Sequence, residues 1–353
     1  MLRYLTAGES HGKAIVAILE GMPAGLRIDP DRINQELRRR QQGFGRGRRM
    51  QIENDRVQII SGLRKGLTLS SPLTLFIQNK DSSIEKLKKV ICPRPGHADL
   101  SGLLKYGFSD IRDVLERASA RSTVATVGIG AICKIFLDEF KIRIASRVLS
   151  IGGESTKEAM HAKIKEAIEN KDTIGGIFSV TVKGVPVGLG SYTHPDRRLD
   201  ARLAQAIMSI PGIKAVEIGL GLGYAISFGS EVHDAIYYNK NKAMPDGRQG
   251  YFRQTNNAGG IEGGISNGQE IIVRGCMKPI CTLMNPLGSV NISTKKSSKA
   301  AVERSDICVV EAAGVVAESA CAYVLTDAML EKFGSDSLAD IKENHKNYLK
   351  RIR

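Results

Sequence analysis

The stretch SDIRDVLERASARSTVATVGIGAICKIFLDEF, residues 109–140, is the one from which the fold can be read. Past its opening charges it is apolar on every side and dense in Ala, Gly and Ser. A helix with no polar face is covered on all sides, and small residues let neighbouring backbones approach closely. A second stretch of the same kind, VVEAAGVVAESACAYVLTDAMLEKF, occupies 309–333. Two such helices need sheets to cover them. Strand-like runs are present at Lys13 to Leu19, Val57 to Ser61, Leu73 to Gln78, Gly176 to Val182 and Glu270 to Arg274, each short, β-branched or aromatic, and bounded by turn formers. Further helices are expected at Asp31 to Arg40, Lys157 to Asn170, Asp196 to Ser209 and Leu338 to Arg351. The expectation is an α+β body: a layered β-α-β sandwich with central helices between sheets, and not a doubly wound nucleotide-binding fold. No linker interrupts the chain, so residues 1–353 are expected to form a single domain. A faint internal echo accompanies the two long helices. Glu116-Arg117 opens one, and Glu303-Arg304 shortly precedes the other.

Composition narrows the partners. The 353 residues hold 51 Lys plus Arg against 37 Asp plus Glu, a formal +14, which draws anions of any kind. The longest apolar segment, near Val124 to Leu137, is broken by Lys134 and is short of the ~20 residues a bilayer requires. The N-terminus MLRYLTAGESHGK lacks the apolar run of a signal peptide. Six cysteines contain no CxxC pair and sit in apolar surroundings, which fits reduced thiols in a cytoplasmic protein. No membrane association is expected, and no metal site.

Standard catalytic motifs are missing. There is no GxxxxGK[ST] loop, no HExxH and no GxSxG, and GLGLG at 219–223 does not fit GxGxxG. What stands out instead is a set of His, Arg, Asn and Gly clusters at expected turns. GESHG at 8–12 places His11 between glycines, where a group titrating near neutrality can give or take a proton. As an isolated feature it would pass for a solvated turn. RRRQQGFGRGRR at 38–49 packs six arginines into twelve residues, and guanidinium forks suit phosphate and carboxylate. Taken alone this run favours an RNA contact, the main alternative to an enzyme. Base stacking, however, calls for interleaved aromatics, and the loop carries only Phe44. RPGHAD at 94–99 supplies a second loop histidine, His97. ERASARST at 116–123 sets Arg117 and Arg121 one turn apart, with Asp113 or Glu116 as ordinary ion-pair partners for Arg117. NNAGG at 256–260 permits close backbone contact with a flat ring or a phosphate. His161, His194, His233 and His345 read as surface or structural.

Together GESHG, GRGRR, RPGHAD, ERASAR, DTIGG, DRRLDARLAQA, NNAGGIEGG, MKPI and ERSD resemble the signature blocks of the chorismate synthases, in family order from Leu2 to about Asp327. The resemblance implies a homotetramer whose subunits sandwich central helices between antiparallel sheets. It implies reduced flavin mononucleotide (FMN) as cofactor and 5-enolpyruvylshikimate-3-phosphate as substrate, which loses phosphate by anti-1,4-elimination. Carried over by position, His11 resembles the histidine that protonates or orients the departing phosphate. His97 resembles the one beside the flavin ring, and Asp306 the acid that relays the C6 proton. Arg40, Arg46, Arg49 and Arg121 resemble the substrate-anion arginines. Arg94, Ser119, Ala120, Asn257, Ala258, Lys278, Thr282 and Arg304 resemble flavin contacts. Such a substrate carries a phosphate and two carboxylates, so several arginines must neutralise roughly four charges in a partly dry site. One basic site of this kind accounts for the +14 without nucleic acid. A second alternative, an oxidoreductase using the flavin for net redox, would need a second electron-donor site, and no nicotinamide fingerprint is present. Lacking any extra domain, the chain is expected to rely on a separate flavin reductase as the source of reduced FMN. Glu311, Thr173 and Leu222 depart from residues usual in the family.

Overall fold

Alternation of apolar and polar side chains builds two sheets. In this computed structural model, which describes residues 2–47, 55–243, 249–303 and 305–352, the first sheet holds β1 (Arg3–Ala7), β2 (Ala14–Glu20), β3 (Val57–Ser61) and β4 (Leu73–Gln78). Its strands run antiparallel in the order β1-β2-β4-β3. Ile15, Ala17 and Leu19 of β2, with Leu73, Leu75 and Ile77 of β4, point to one face and are buried there. The second sheet holds β5 (Arg143–Ile151), β6 (Gly176–Lys183), β7 (Ile213–Ile218) and, after a hairpin of β8 (Ile236–Ala243) and β9 (Gln249–Arg253), β10 (Ile271–Met277). It too is antiparallel, in the order β5-β6-β10-β7. Phe178, Val180, Val182, Ile271 and Val273 form its buried face.

Between the sheets lie the two apolar helices, α4 (Thr123–Asp138) and α7 (Val310–Phe333). α4 packs on β2 and β4, α7 on β5 and β6, and the helices pack on each other. Their closest approach explains Gly130: a Cβ added there would stand 2.2 Å from Cβ of Ser319. The stretch Arg112–Asp138, which ends in α4, and α7 are long and apolar enough to cross a membrane, yet their most apolar windows are 78% and 89% buried inside the protein. They are core helices. One apolar cluster extends from Leu2 to Ile341 through both sheets and the helices between them.

Around them sit α1 (Pro30–Gln41), α2 (Asp99–Tyr106), α3 (Arg112–Ala118), α5 (Lys157–Glu169), α6 (Leu199–Met208) and α8 (Leu338–Arg351). The topology repeats. In each half two strands precede a helix, α1 or α6, two more strands follow, and the half closes with a long apolar helix; both sheets show the order first-second-fourth-third. The echo of Glu116 and Glu303 falls at matching places in the two halves.

The expected helix over 109–140 is in fact broken. Ser119 adopts an extended conformation (φ −68°, ψ 142°), which ends α3, and a 3-10 turn at Ala120–Ser122 leads into α4. The break lies in the ERASAR block, where side chains must turn toward a site. β1, β5, β7 and the β8–β9 hairpin carry no strong strand signal in the sequence. β1, β5 and β7 are edge strands with half-exposed faces, so Arg, Ser, Lys and Glu interrupt their apolar pattern.

Candidate active site

GESHG forms the turn from β1 to β2. Gly8 has φ +109°, and a Cβ there would lie 2.2 Å from the carbonyl oxygen of Ala14, so the turn is closed to any other residue. Three elements hold it. Asn79, at the end of β4, donates through Nδ2 to the carbonyls of Glu9 (3.1 Å) and Gly12 (2.8 Å). Arg117 donates to the carbonyls of Gly8 (2.9 Å) and Thr6 (3.0 Å). It makes this turn, and not the helical pair with Asp113 or Glu116 that its position suggested. Glu116 takes His11: Nδ1 lies 3.0 Å from both carboxylate oxygens, and the His11 amide donates to Oε2 at 2.8 Å. Burial alone would push the Glu116 carboxyl up, but the His11 contacts and Arg112 hold it below its ordinary value. Ser119 reaches Ser10 at 3.2 Å through the two hydroxyls.

Beside this turn lies a buried arginine cluster. Arg40, at the end of α1, donates to Asp55 Oδ2 at 2.8 Å, and Arg121 donates to Asp55 Oδ1 at 2.6 Å. Arg121 also donates to Asn79 Oδ1 at 2.9 Å, which ties the cluster to the GESHG turn. Both guanidiniums are nearly inaccessible, 4% and 5% exposed. Burial drives the Arg40 pKa down, Arg121 and Arg46 add to that, and Asp55 opposes it. Asp55 accepts from both buried cations, and Nε of Arg40 has no hydrogen-bond partner among the described residues. A buried guanidinium nitrogen of this kind suits an anion. Arg46 approaches from the glycine-rich loop, its Nη1 3.5 Å from Asp306 Oδ2, while Asp306 Oδ1 accepts from the Gly47 amide at 2.5 Å. The arginines from this run with described partners turn inward, onto Glu36, Glu318, Asp55 and Asp306, which is the opposite of a solvated RNA-binding loop.

RPGHAD forms the turn before α2. Gly96 has φ +76° there. Fully buried Asp99 accepts from Arg94 N (3.0 Å), Nε (2.8 Å) and Nη2 (3.0 Å), and its Oδ1 is 2.5 Å from His97 Nδ1. Burial on its own would raise the Asp99 carboxyl; the His97 and Arg94 contacts outweigh it and hold the group well below the carboxylate range. Arg94 Nη1 continues to Thr282 Oγ1 at 2.8 Å. Lys278 Nζ donates to the Gly96 carbonyl and lies 3.1 Å from Cys281 Sγ. α2 and α3 pack together through Leu103 and Val114 and are joined by residues 107–111.

Not every expected residue joins this group. Asn257 and Ala258 donate their amides to Asp234 at 2.9 Å each, and the Leu220 amide donates to the Asn257 carbonyl. Gly219, next to Leu220, bonds Ile272 at the start of β10, whereas Lys278 follows that strand's other end. Six residues of strand separate them, roughly 20 Å at about 3.3 Å per residue. Arg49 and Arg304 lie outside the described residues. Asp55, Asn79, Asp99 and Glu116 were not among the expected site residues. Asp99 and Glu116 fall inside the RPGHAD and ERASAR blocks, but Asp55 and Asn79 have no local signal, because their partners are 15 to 70 residues away. No group of three or more metal-ligating side chains occurs among the described residues, and the six cysteines are unpaired.

A profile of the family described as Chorismate synthase matches residues 2–330. The chain is 53% identical over 351 residues to a chorismate synthase of Thermoanaerobacter pseudethanolicus, covering 99% of this chain and 98% of that protein. It is also 53% identical over 355 residues to one of Caldanaerobacter subterraneus subsp. tengcongensis, covering 100% and 99%. A solved structure described as a crystal structure of chorismate synthase superposes with a TM-score of 0.81 at 41% identity, covering 99% of this chain and 98% of that one.

Proposed function

The chain belongs to the chorismate synthase family, lyases of the last step of the shikimate pathway, and from that premise we propose which of its residues carry the reaction. The substrate is 5-enolpyruvylshikimate-3-phosphate and the cofactor reduced FMN, which the family generally uses. Arg40, Arg46, Arg49 and Arg121 bind the substrate's anionic groups, and His11 protonates or orients the phosphate as it leaves. Arg94, Ser119, Ala120, Lys278, Thr282 and Arg304 hold the flavin, with His97 at its ring. Asp306 takes up the proton that originates at C6.

The observation that carries this reading is the pair of buried arginines sharing Asp55, joined through Asn79 to the histidine turn. The Arg40 Nε in that cluster suits an anion, and a proton-handling group lies beside it. A phosphate departs more readily when clamped and protonated, help worth ~10²–10⁴-fold for general acids. Reduced flavin, when bound, supplies an electron-rich ring that eases loss of phosphate in a reaction that is redox-neutral overall. Basic and hydroxyl groups converging on the Arg94–His97–Asp99 turn fit a flavin with its phosphate. The Asn257–Ala258 block, remote within one chain, reaches a flavin if it belongs to a neighbouring subunit, which supports a homotetramer with sites at subunit boundaries. The enzyme is cytoplasmic and works without nucleic acid or membrane. Its reduced FMN comes from a separate reductase.

An anaerobic assay tests the reading. With photoreduced FMN and substrate, chorismate and phosphate should form in equal amounts with no net flavin oxidation. Oxidised FMN, alone or with a reduced nicotinamide, should give none. Product from the nicotinamide mixture would refute the need for a separate reductase, and none from reduced FMN would refute the assigned chemistry.

A further inference from the structure

We propose that Glu116 is a positioning residue for the elimination, gripping His11 through Nδ1 and the backbone amide so that Nε2 is the ring atom presented to the departing phosphate. The proposal rests on the reading of His11 as the group that serves that phosphate.

The two nitrogens of an imidazole are distinct, and the partner of one decides what the other can do. An ionised carboxylate accepts and cannot donate, so a ring nitrogen at 3.0 Å from both oxygens of Glu116 carries its hydrogen toward them. That nitrogen is Nδ1. Nε2 is then the free acceptor of the neutral ring, or the outward N–H donor of the charged one. The grip is multiple. Oε2 also accepts the His11 amide at 2.8 Å, and the Glu116 carbonyl accepts the Ser10 amide at 2.9 Å. A plain tether for the turn would require the amide contacts alone; the carboxylate is turned so that both oxygens meet the ring.

The carboxylate is itself held from behind. It is 3% exposed against 15% for His11, so water does not compete strongly for it. Arg112, one turn earlier on α3, places Nη1 3.6 Å from Oε1 and gives Nη2 to Glu303 Oε1 at 2.9 Å. The two glutamates of the internal echo therefore meet at one guanidinium. Glu116 thus has its rear side on Arg112 and its front on His11.

The first measurement needs no flavin: magic-angle-spinning 15N spectra of histidine-labelled protein, with His11 identified by its loss in His11→Asn. Neutral His11 should be protonated at Nδ1, and protonation at Nε2 would overturn the proposal. Kinetics with saturating reduced FMN follow. Glu116→Gln, which keeps the shape, should lose about 10- to 100-fold in kcat, a part of the ~10²–10⁴-fold worth of a general acid. KM for the substrate should stay within about threefold, because the lost interaction acts at the transition state. Glu116→Asp, which restores the charge, should fall between the two. Wild-type kcat in Glu116→Gln, or a loss confined to KM, refutes the positioning role. Wild-type kcat in His11→Ala would instead remove the assignment of His11, and with it any catalytic role for Glu116, whatever the spectra show.

Discussion

Glu318 is a carboxylate in the middle of the apolar helix α7, with no exposure to solvent. It accepts from both terminal nitrogens of Arg39 (2.8 Å each), from Lys134 Nζ (2.5 Å), and from the amide and hydroxyl of Ser146 (2.7 and 2.6 Å). It thus joins α1, α4, α7 and β5 at one point. Glu318→Gln keeps the volume and removes the charge. Glu36 remains beside both Arg39 and Lys134, so a single carboxylate is left for two cations. Breaking a buried pair from one side costs about 3–5 kcal/mol. A second route agrees. Burial would raise the Glu318 pKa, but the Arg39 hydrogen bonds and Lys134 outweigh it and bring it from 4.5 to about 2, a shift worth roughly 3 kcal/mol at 1.36 kcal/mol per unit. With an unfolding entropy near 2.1 cal/mol/K per residue over the whole chain, that loss lowers Tm by about 4 °C. The pH dependence follows from a depressed folded value. The stabilisation is complete above 4.5, the ordinary value, and is lost as pH falls toward about 2. Calorimetric scans of both proteins between pH 7 and pH 3.5 (roughly the upper part of that window) should show the Tm gap closing with acid. A gap below about 1 °C at pH 7, or one that does not narrow, would refute the claim that this charge stabilises the layer between the sheets.

Other perturbations test other parts of the structure. Gly130→Ala drives a Cβ to 2.2 Å from the Ser319 Cβ and 2.4 Å from its Cα, and should lower stability by about 1–3 kcal/mol in thermal scans; Ser319→Gly in the same chain should restore little, because the backbone contact persists. His345 packs edge-on against Phe140 and Phe333, 5.3 and 5.1 Å between ring centres, and burial lowers its pKa from 6.5. Because the fold favours the neutral ring, stability should fall as pH drops below 6.5, a slope that His345→Gln should flatten. Asp99→Asn leaves Arg94 and His97 without their buried anchor. Fluorescence titration should then show FMN affinity reduced by about tenfold or more, or 1.4 kcal/mol. Unchanged affinity would separate this turn from the flavin site.

Much of the fold is legible because burial imposes period. Leu73–Gln78, Val57–Ser61 and Leu338–Arg351 form where their patterns place them, and α7 is as apolar as a helix between two sheets must be. The edge strands are harder to see. Arg143–Ile151 alternates Arg and Ser with Ile, Ala and Val, and half of it faces solvent, so its apolar signal is diluted. The break at Ser119 cannot be read from propensity, because Ala, Arg and Ser suit a helix well enough; the extended residue caps the following turn, its hydroxyl accepting the Arg121 amide at 3.2 Å and meeting the Ser10 hydroxyl. Motif position picks out His11, Arg40 and Arg121, which the structure ties together through Asn79 and Asp55, and separately Arg94 and His97, which share Asp99. It does not disclose Asp55, a carboxylate in an otherwise unmarked stretch whose importance arises from two arginines brought to it by α1 and the start of α4. The same limit explains Asn257 and Ala258, where a block sits correctly in sequence order yet the chain folds it to the far end of β10.

The central claim is that the arginine cluster at Asp55, the His11 turn and the Arg94–His97–Asp99 turn form one site for an anionic substrate and a flavin. A crystal structure with FMN and 5-enolpyruvylshikimate-3-phosphate bound tests it most directly. The account predicts substrate phosphate or carboxylate density against Arg40 and Arg121 with His11 beside it, flavin density between Arg94, Ser119 and Lys278, and Asn257 of a second subunit closing the pocket. Substrate density away from Arg40 and Arg121, or flavin bound at Asn257 in a subunit that leaves His97 untouched, would contradict it.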